Sequence, residues 1–170
     1  MIAMLELAGP DNSGKSTVWE ALAKRMGGKG KMLSECFVVD RGLYDSIVMD
    51  EYFGRTVEEC RQAKLDLLMS MHSNYLIVQL VAPVEVLEHR QEVELSRLPK
   101  IEQNEAWKHV VVDCKKQLHE YKRHAELYRQ LESAYEKSNF MQFDTSIMDA
   151  DTIADMVVHR IGRVDKVKTD

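Results

Sequence analysis

Nine consecutive residues, Gly9-Pro10-Asp11-Asn12-Ser13-Gly14-Lys15-Ser16-Thr17, combine two glycines, a lysine and adjacent hydroxyls. Gly9, four residues, then Gly14-Lys15-Ser16 is the Walker A spacing, and the chemistry it suits is the grip of a polyphosphate. Glycines let successive N–H groups turn inward on phosphate oxygens. A helix starting at the end of such a loop adds its partial positive charge. Lys15 then supplies a full charge near the β- and γ-phosphates, and Ser16 a hydroxyl for Mg²⁺. Gly9, Asn12, Ser13, Gly14, Lys15, Ser16 and Thr17 are thus expected to hold a nucleoside triphosphate with its divalent cation. The plainer alternative, a Gly/Ser-rich turn between strand and helix, explains neither the spacing nor the Lys-Ser pair.

Two further groups could act on the same phosphates. Cys36-Phe37-Val38-Val39-Asp40 is an apolar run ending in a carboxylate and followed by Arg41-Gly42. It has the form of a Walker B strand, whose Asp40 emerges at the carboxyl edge of a sheet beside Mg²⁺. A strand ending in an ordinary turn is the alternative. The segment 90–104, with Arg90, Arg97, Pro99 and Lys100, departs from helical periodicity and is basic in an acidic chain. It reads as a lid that brings Arg97 or Arg90 onto charge developing at the phosphates, or else as a surface loop with solvated cations.

These groups need a scaffold. Ile2 to Ala8 reads as a strand before the loop, and Val18, Trp19, Ala21, Leu22, Ala23 and Met26 give a helix stopped by Gly27-Gly28. Lys24, Arg25, Lys29 and Lys31 cluster there, as a solvated helix end or as a patch for a nucleic-acid strand. Leu43 to Phe53, helical or irregular, brings Asp45, Ser46, Asp50, Glu51 and Tyr52 near the site. Thr56 and Glu59 have capping-box spacing ahead of a second helix. Tyr75 to Val81 is a buried strand closed by Pro83, and Val84 to Arg90 restarts a helix. A long helix is expected over about 105–136, with Trp107, Val110, Leu118, Leu127 and Tyr135 as core or a homodimer seam. Phe140 to Asp144 is a last strand, and Asp151 opens a final helix before a frayed tail over about 164–170.

At 170 residues, 45% apolar and 30% charged, the chain suits one domain over 1–170. A net charge of −5 leans against a broadly basic nucleic-acid surface. Cys36, Cys60 and Cys114 are odd in number and far apart, which provides neither a disulfide framework nor a zinc spacing. No run approaches membrane-spanning length and no signal peptide precedes the first strand, so a cytoplasmic protein with no membrane partner is expected. Strands alternating with helices after a P-loop imply an α/β, P-loop NTPase-type three-layer sandwich with about four parallel strands.

In this pattern the chain resembles the thymidylate-kinase-like branch of the P-loop nucleoside and nucleotide kinases. The likeness rests on residues 9–17, on Asp40-Arg41 with Val48 and Tyr52 downstream, on Leu80-Val81-Ala82-Pro83 through Arg90, and on Phe143-Asp144-Thr145. It implies that Lys15 and the loop hold ATP, Ser16 and Asp40 serve Mg²⁺, Arg41 contacts the acceptor or the moving phosphoryl group, and Asp11 faces the acceptor. It also places Asp144 and Thr145 near the adenine. Asn12 stands where some relatives carry a loop arginine, which leaves that task to Arg97 and Arg90. The Asp-Arg strand follows the P-loop helix almost at once, whereas in those nucleotide kinases a segment gripping the acceptor monophosphate intervenes. The short spacing is similar to that of kinases acting on a hydroxyl of a polynucleotide, including viral enzymes that phosphorylate hydroxymethylated bases in DNA. The acceptor is therefore a deoxynucleotide or a hydroxyl on DNA; an alcohol would need Asp40 or Asp11 as base. An NTP hydrolase, or a binding module without catalysis, is the competing class.

Overall fold

The first strand, β1 (Met4–Ala8), is the axis of the fold. Its odd and even residues face opposite ways, and both ways lead to buried surroundings. Leu5 and Leu7 enter one core, whereas Glu6 and Ala8 turn to the other face. The computed structural model describes residues 2–25, 36–98 and 111–166, with Asp40 and residues 163–166 by main chain alone.

Around β1 stand β2 (Phe37–Asp40), β3 (Tyr75–Val81) and β4 (Phe140–Asp144) in the order β2-β1-β3-β4, every pair parallel. Tyr75 to Val81 is buried throughout, as expected of an inner parallel strand covered on both faces. Six helices among the described residues supply the covering: α1 (Lys15–Arg25), α2 (Leu43–Tyr52), α3 (Glu58–Ser70), α4 (Val84–Ser96), α5 (Cys114–Glu132) and α6 (Ala150–Lys166). One face packs Leu5, Leu7, Leu76, Val78 and Leu80 against Val18 and Leu22 of α1 and Ile153 and Val157 of α6. Arg25 ties these two helices at the surface through Asp151 and Asp155. The other face packs Tyr75 and Ile77 against Tyr44, Ile47 and Val48 of α2, Leu68 of α3, and Tyr121 and Tyr128 of α5. The α/β three-layer sandwich expected from the sequence is therefore the architecture found. The register sets Asp40 opposite Leu7, so the strand carrying it lies directly beside the P-loop strand.

Several local expectations change. Helix α4 continues through Arg90 to Ser96 and is closed by Arg97, so Arg90 is helical and the departure from helical periodicity does not begin there. Residues 99–104 lie outside the described residues, as do Met26, Gly27, Gly28, Lys29 and Lys31. Helix α5 starts at Cys114, capped by Asp113, whose Oδ1 accepts the Lys116 amide at 2.8 Å, and it ends at Glu132 rather than 136. Trp107 and Val110 fall outside the described residues. The Thr56 capping box does not form: Val57 occupies the cap position without a side-chain bond, and the buried Thr56 hydroxyl has no partner. The last helix reaches Lys166, which makes 164–166 helical; 167–170 are outside the described residues. Among the described residues, no helix is long and apolar enough to cross a membrane.

Candidate active site

The P-loop leaves β1 at Ala8 and enters α1 at Lys15. Gly9 sits at φ +146°, and a Cβ there would run into the carbonyl of Leu80, so β3 itself excludes any side chain. Asn12 takes a left-handed conformation at φ +62°. The lysine ammonium donates to the carbonyls of Gly9 at 2.7 Å and Pro10 at 3.0 Å, which holds it over its own loop.

The loop is braced from two sides. On one side, the guanidinium of Arg90 donates to the carbonyl of Asn12 at 3.1 Å and to Thr145 Oγ1 and the Thr145 carbonyl at 2.9 Å. The Thr145 hydroxyl in turn donates to the Ser13 carbonyl at 2.9 Å. On the other side, Arg41 follows β2 in a left-handed conformation at φ +60°, and its Nη2 lies 2.7 Å from Asp11 Oδ1. The amide of Asp11 donates to Gln117 Oε1 at 2.7 Å, and Gln117 Nε2 donates back to Asp11 Oδ2 at 3.1 Å.

Beneath Arg41 the start of α2 is fastened to the sheet. Glu6, fully buried, accepts the amides of Tyr44 at 3.0 Å and Asp45 at 2.7 Å and the hydroxyl of Tyr75 at 2.5 Å. These are the unpaired N–H groups of a helix N-terminus, for which a carboxylate is a natural partner. Gly42 makes room: a Cβ there would stand 2.6 Å from the Tyr75 hydroxyl and 2.7 Å from Glu6 Cδ. Burial pushes the Glu6 carboxyl up to about 7 against those hydrogen bonds. Asp45 is also buried and accepts from the Tyr121 hydroxyl. Burial raises its carboxyl too, opposed by the Tyr121 bond, by Lys15 and Arg41, and by the Gly9 amide.

Together these elements enclose a cleft of about 1000 Å³ at the carboxyl edge of the sheet. Of the residues expected from sequence, Asp11, Asn12, Gly14, Lys15, Ser16, Thr17, Arg41, Arg90, Arg97 and Thr145 line it, and Gly9 and Ser13 lie behind them in the same loop. Four cations, Lys15, Arg41, Arg90 and Arg97, face three carboxylates, Asp11, Glu94 and Asp149, so the cleft is cationic in a chain of net charge −5. Val93, Met148 and Ile153 supply an apolar wall suited to a base. Asp144 is not in that wall; its Oδ1 closes its own turn on the amide and hydroxyl of Ser146, at 2.8 and 2.6 Å. Asp50 and Glu51 turn away, toward Lys64 at 2.5 Å and Arg123 at 3.2 Å. Glu6, Gln117 and Tyr121 carry no local motif. A carboxylate in the middle of the otherwise apolar run of residues 2–8 was the one available signal for Glu6.

For Mg²⁺ the donor set is hard oxygen, as that ion requires. Ser16 lines the cleft at the start of α1, and the Asp40 main chain ends β2 at the same sheet edge. The residues present therefore fit the ion.

No protein-family model matches the chain, and no curated protein does. Solved structures do. The chain is similar to the YorR protein of Bacillus subtilis in complex with phosphorylated GDP, at 21% identity over 94% of this chain and 95% of that one, with a TM-score of 0.60. It is also similar to deoxyadenosine kinase from M. mycoides with bound dATP, at 13% identity over 94% and 99% of the two chains, with a TM-score of 0.51. At these identities the likeness is one of fold, a parallel α/β sandwich.

Proposed function

We propose that this chain is an ATP-dependent phosphotransferase acting on a nucleotidic acceptor, either a deoxynucleotide or a hydroxyl on DNA. The observation that carries the reading is the meeting of a P-loop with Arg41, Arg90 and Arg97 in one cleft, more cationic equipment than binding a nucleotide alone requires. The fold shared with deoxyadenosine kinase supports it. Lys15 and the loop amides hold the triphosphate, and the apolar wall of Val93, Met148 and Ile153 takes the base. Ser16 and Asp40 would hold Mg²⁺, which when bound neutralises charge on the β- and γ-oxygens. Arg41, braced by Asp11, faces the point where the acceptor approaches.

Transfer forms a bond from the acceptor oxygen to the γ-phosphorus and breaks the bond to the β–γ bridging oxygen, which releases ADP. With a hydroxyl acceptor the proton goes to Asp11 or Asp40; an ionised phosphate has none to give. The test is acceptor-dependent ADP release with ATP and Mg²⁺ across deoxynucleoside monophosphates, 5′-hydroxyl oligonucleotides and hydroxymethylated DNA. Transfer of label to one class supports the reading. Labelling of none, or ADP release indifferent to every acceptor, would count for a hydrolase or a binding module.

A further inference from the structure

We propose that Gln117 is a positioning residue of this site, its carboxamide holding the P-loop carboxylate Asp11 in the one pose that meets the acceptor. The inference rests on the phosphotransferase reading above. Gln117 is fully buried, and a buried carboxamide is costly unless both its ends are paired. Here both ends go to the same residue, 106 positions away in sequence. Oε1 accepts the Asp11 amide at 2.7 Å, while Nε2 donates to Asp11 Oδ2 at 3.1 Å and to Met49 Sδ at 3.7 Å. A two-bond ring of this kind fixes main chain and side chain together. Arg41 takes the remaining carboxylate oxygen, Oδ1.

The clamp is itself held rigidly. Asp113 caps α5, its carbonyl accepting the Gln117 amide at 2.9 Å, and the Asp113 amide donates to the Tyr52 hydroxyl at 3.1 Å. Gln117 therefore sits in the first turn of a helix anchored to the end of α2, and transmits that position to the P-loop. The same bond uses the Asp11 N–H, so that amide is not offered to phosphate. Besides Arg41, the charged carboxylate of Asp11 is felt by Tyr121 of α5 and by Cys114 at the start of that helix. Glu88 of α4 adds negative field at Cys114.

The test compares wild type with Gln117→Leu and Gln117→Glu, reading Mg-ATP affinity by calorimetry and acceptor turnover on whichever acceptor wild type uses. Leucine fills the space without either bond, and kcat/KM for the acceptor should fall about 10- to 100-fold while ATP affinity stays within about twofold. Glutamate sets a second carboxylate against Asp11 Oδ2, so the two share one proton. Its turnover should approach wild type at low pH and fall as that proton is lost, a profile that simple loss of packing does not produce. Should Gln117→Leu fail to fold, the glutamate profile carries the test. Wild-type kcat/KM in a folded leucine variant, or a glutamate profile that tracks wild type, overturns the inference while leaving the phosphotransferase reading intact. A wild type inert on every acceptor removes that reading and this inference with it.

Discussion

Replacing Glu6 with glutamine should take a pH dependence out of the folding stability. Glu6 is fully buried between β1 and α2, and that burial moves its carboxyl from an ordinary 4.5 to about 7. Below 4.5 both folded and unfolded chains hold the proton and the group contributes no slope. Between 4.5 and about 7 only the folded chain holds it, so stability falls as pH rises, and above about 7 the whole cost of the buried charge is present. That displacement corresponds to about 3 kcal/mol, at roughly 1.4 kcal/mol for each factor of ten in proton affinity. Urea unfolding of both proteins from about pH 4 to about pH 8 measures it, with the difference between the curves as the readout. Glutamine still lacks one acceptor for the α2 amides, which shifts its curve by a constant and leaves the slope to report the charge. The difference also cancels His124, whose imidazole burial and Arg123 push down to about 4 and which therefore destabilises in the opposite sense, as pH drops below 6.5. If the two curves run parallel across this range, Glu6 is not the titrating group and the account of the α2 anchor is wrong.

Four more outcomes can be checked directly. Lys15→Ala should abolish phosphoryl transfer, and measured transfer in a folded variant would detach the P-loop from the chemistry. Arg90→Ala should cost about 1–2 kcal/mol in denaturant titrations and weaken ATP binding, because it frees both Asn12 and Thr145. Arg97→Ala, at an exposed helix end, should leave stability unchanged and reduce turnover alone. Gly42→Ala should destabilise by about 1–3 kcal/mol in the same titrations, since its methyl group must displace Tyr75 or Glu6.

Those differences show where sequence reading succeeds. The P-loop, the Asp40 strand beside it and the parallel sheet were legible because each is written in a short contiguous pattern, and a lysine at fixed spacing from two glycines has few other uses. Arg90 and Arg97 are legible as residues of the cleft, but the break in helical periodicity expected from Arg90 onward is absent up to Ser96. The charge of Arg90 suggests a lid, whereas at the middle of α4 its guanidinium braces the P-loop against Thr145. Thr145 was expected beside a base and in fact ties Arg90 to Ser13 as well. The clamp of Gln117 on Asp11 could not be read at all, since a glutamine in a charged helix has no pattern until the fold brings it under the loop. The Thr56-Glu59 pair shows the converse: a spacing that suits a cap is ignored when the chain enters the helix one residue later, at Glu58.

The backbone at Arg41 sets two requirements against each other. A left-handed φ of +60° is most comfortable for glycine or asparagine and disfavours a longer side chain by roughly 1–2 kcal/mol. Yet only a guanidinium at that point can span to Asp11 and still present nitrogens to the cleft. Variants selected for thermal robustness and variants selected for turnover should therefore diverge at this single position, since the residue that relaxes the turn is not the one that serves the phosphates.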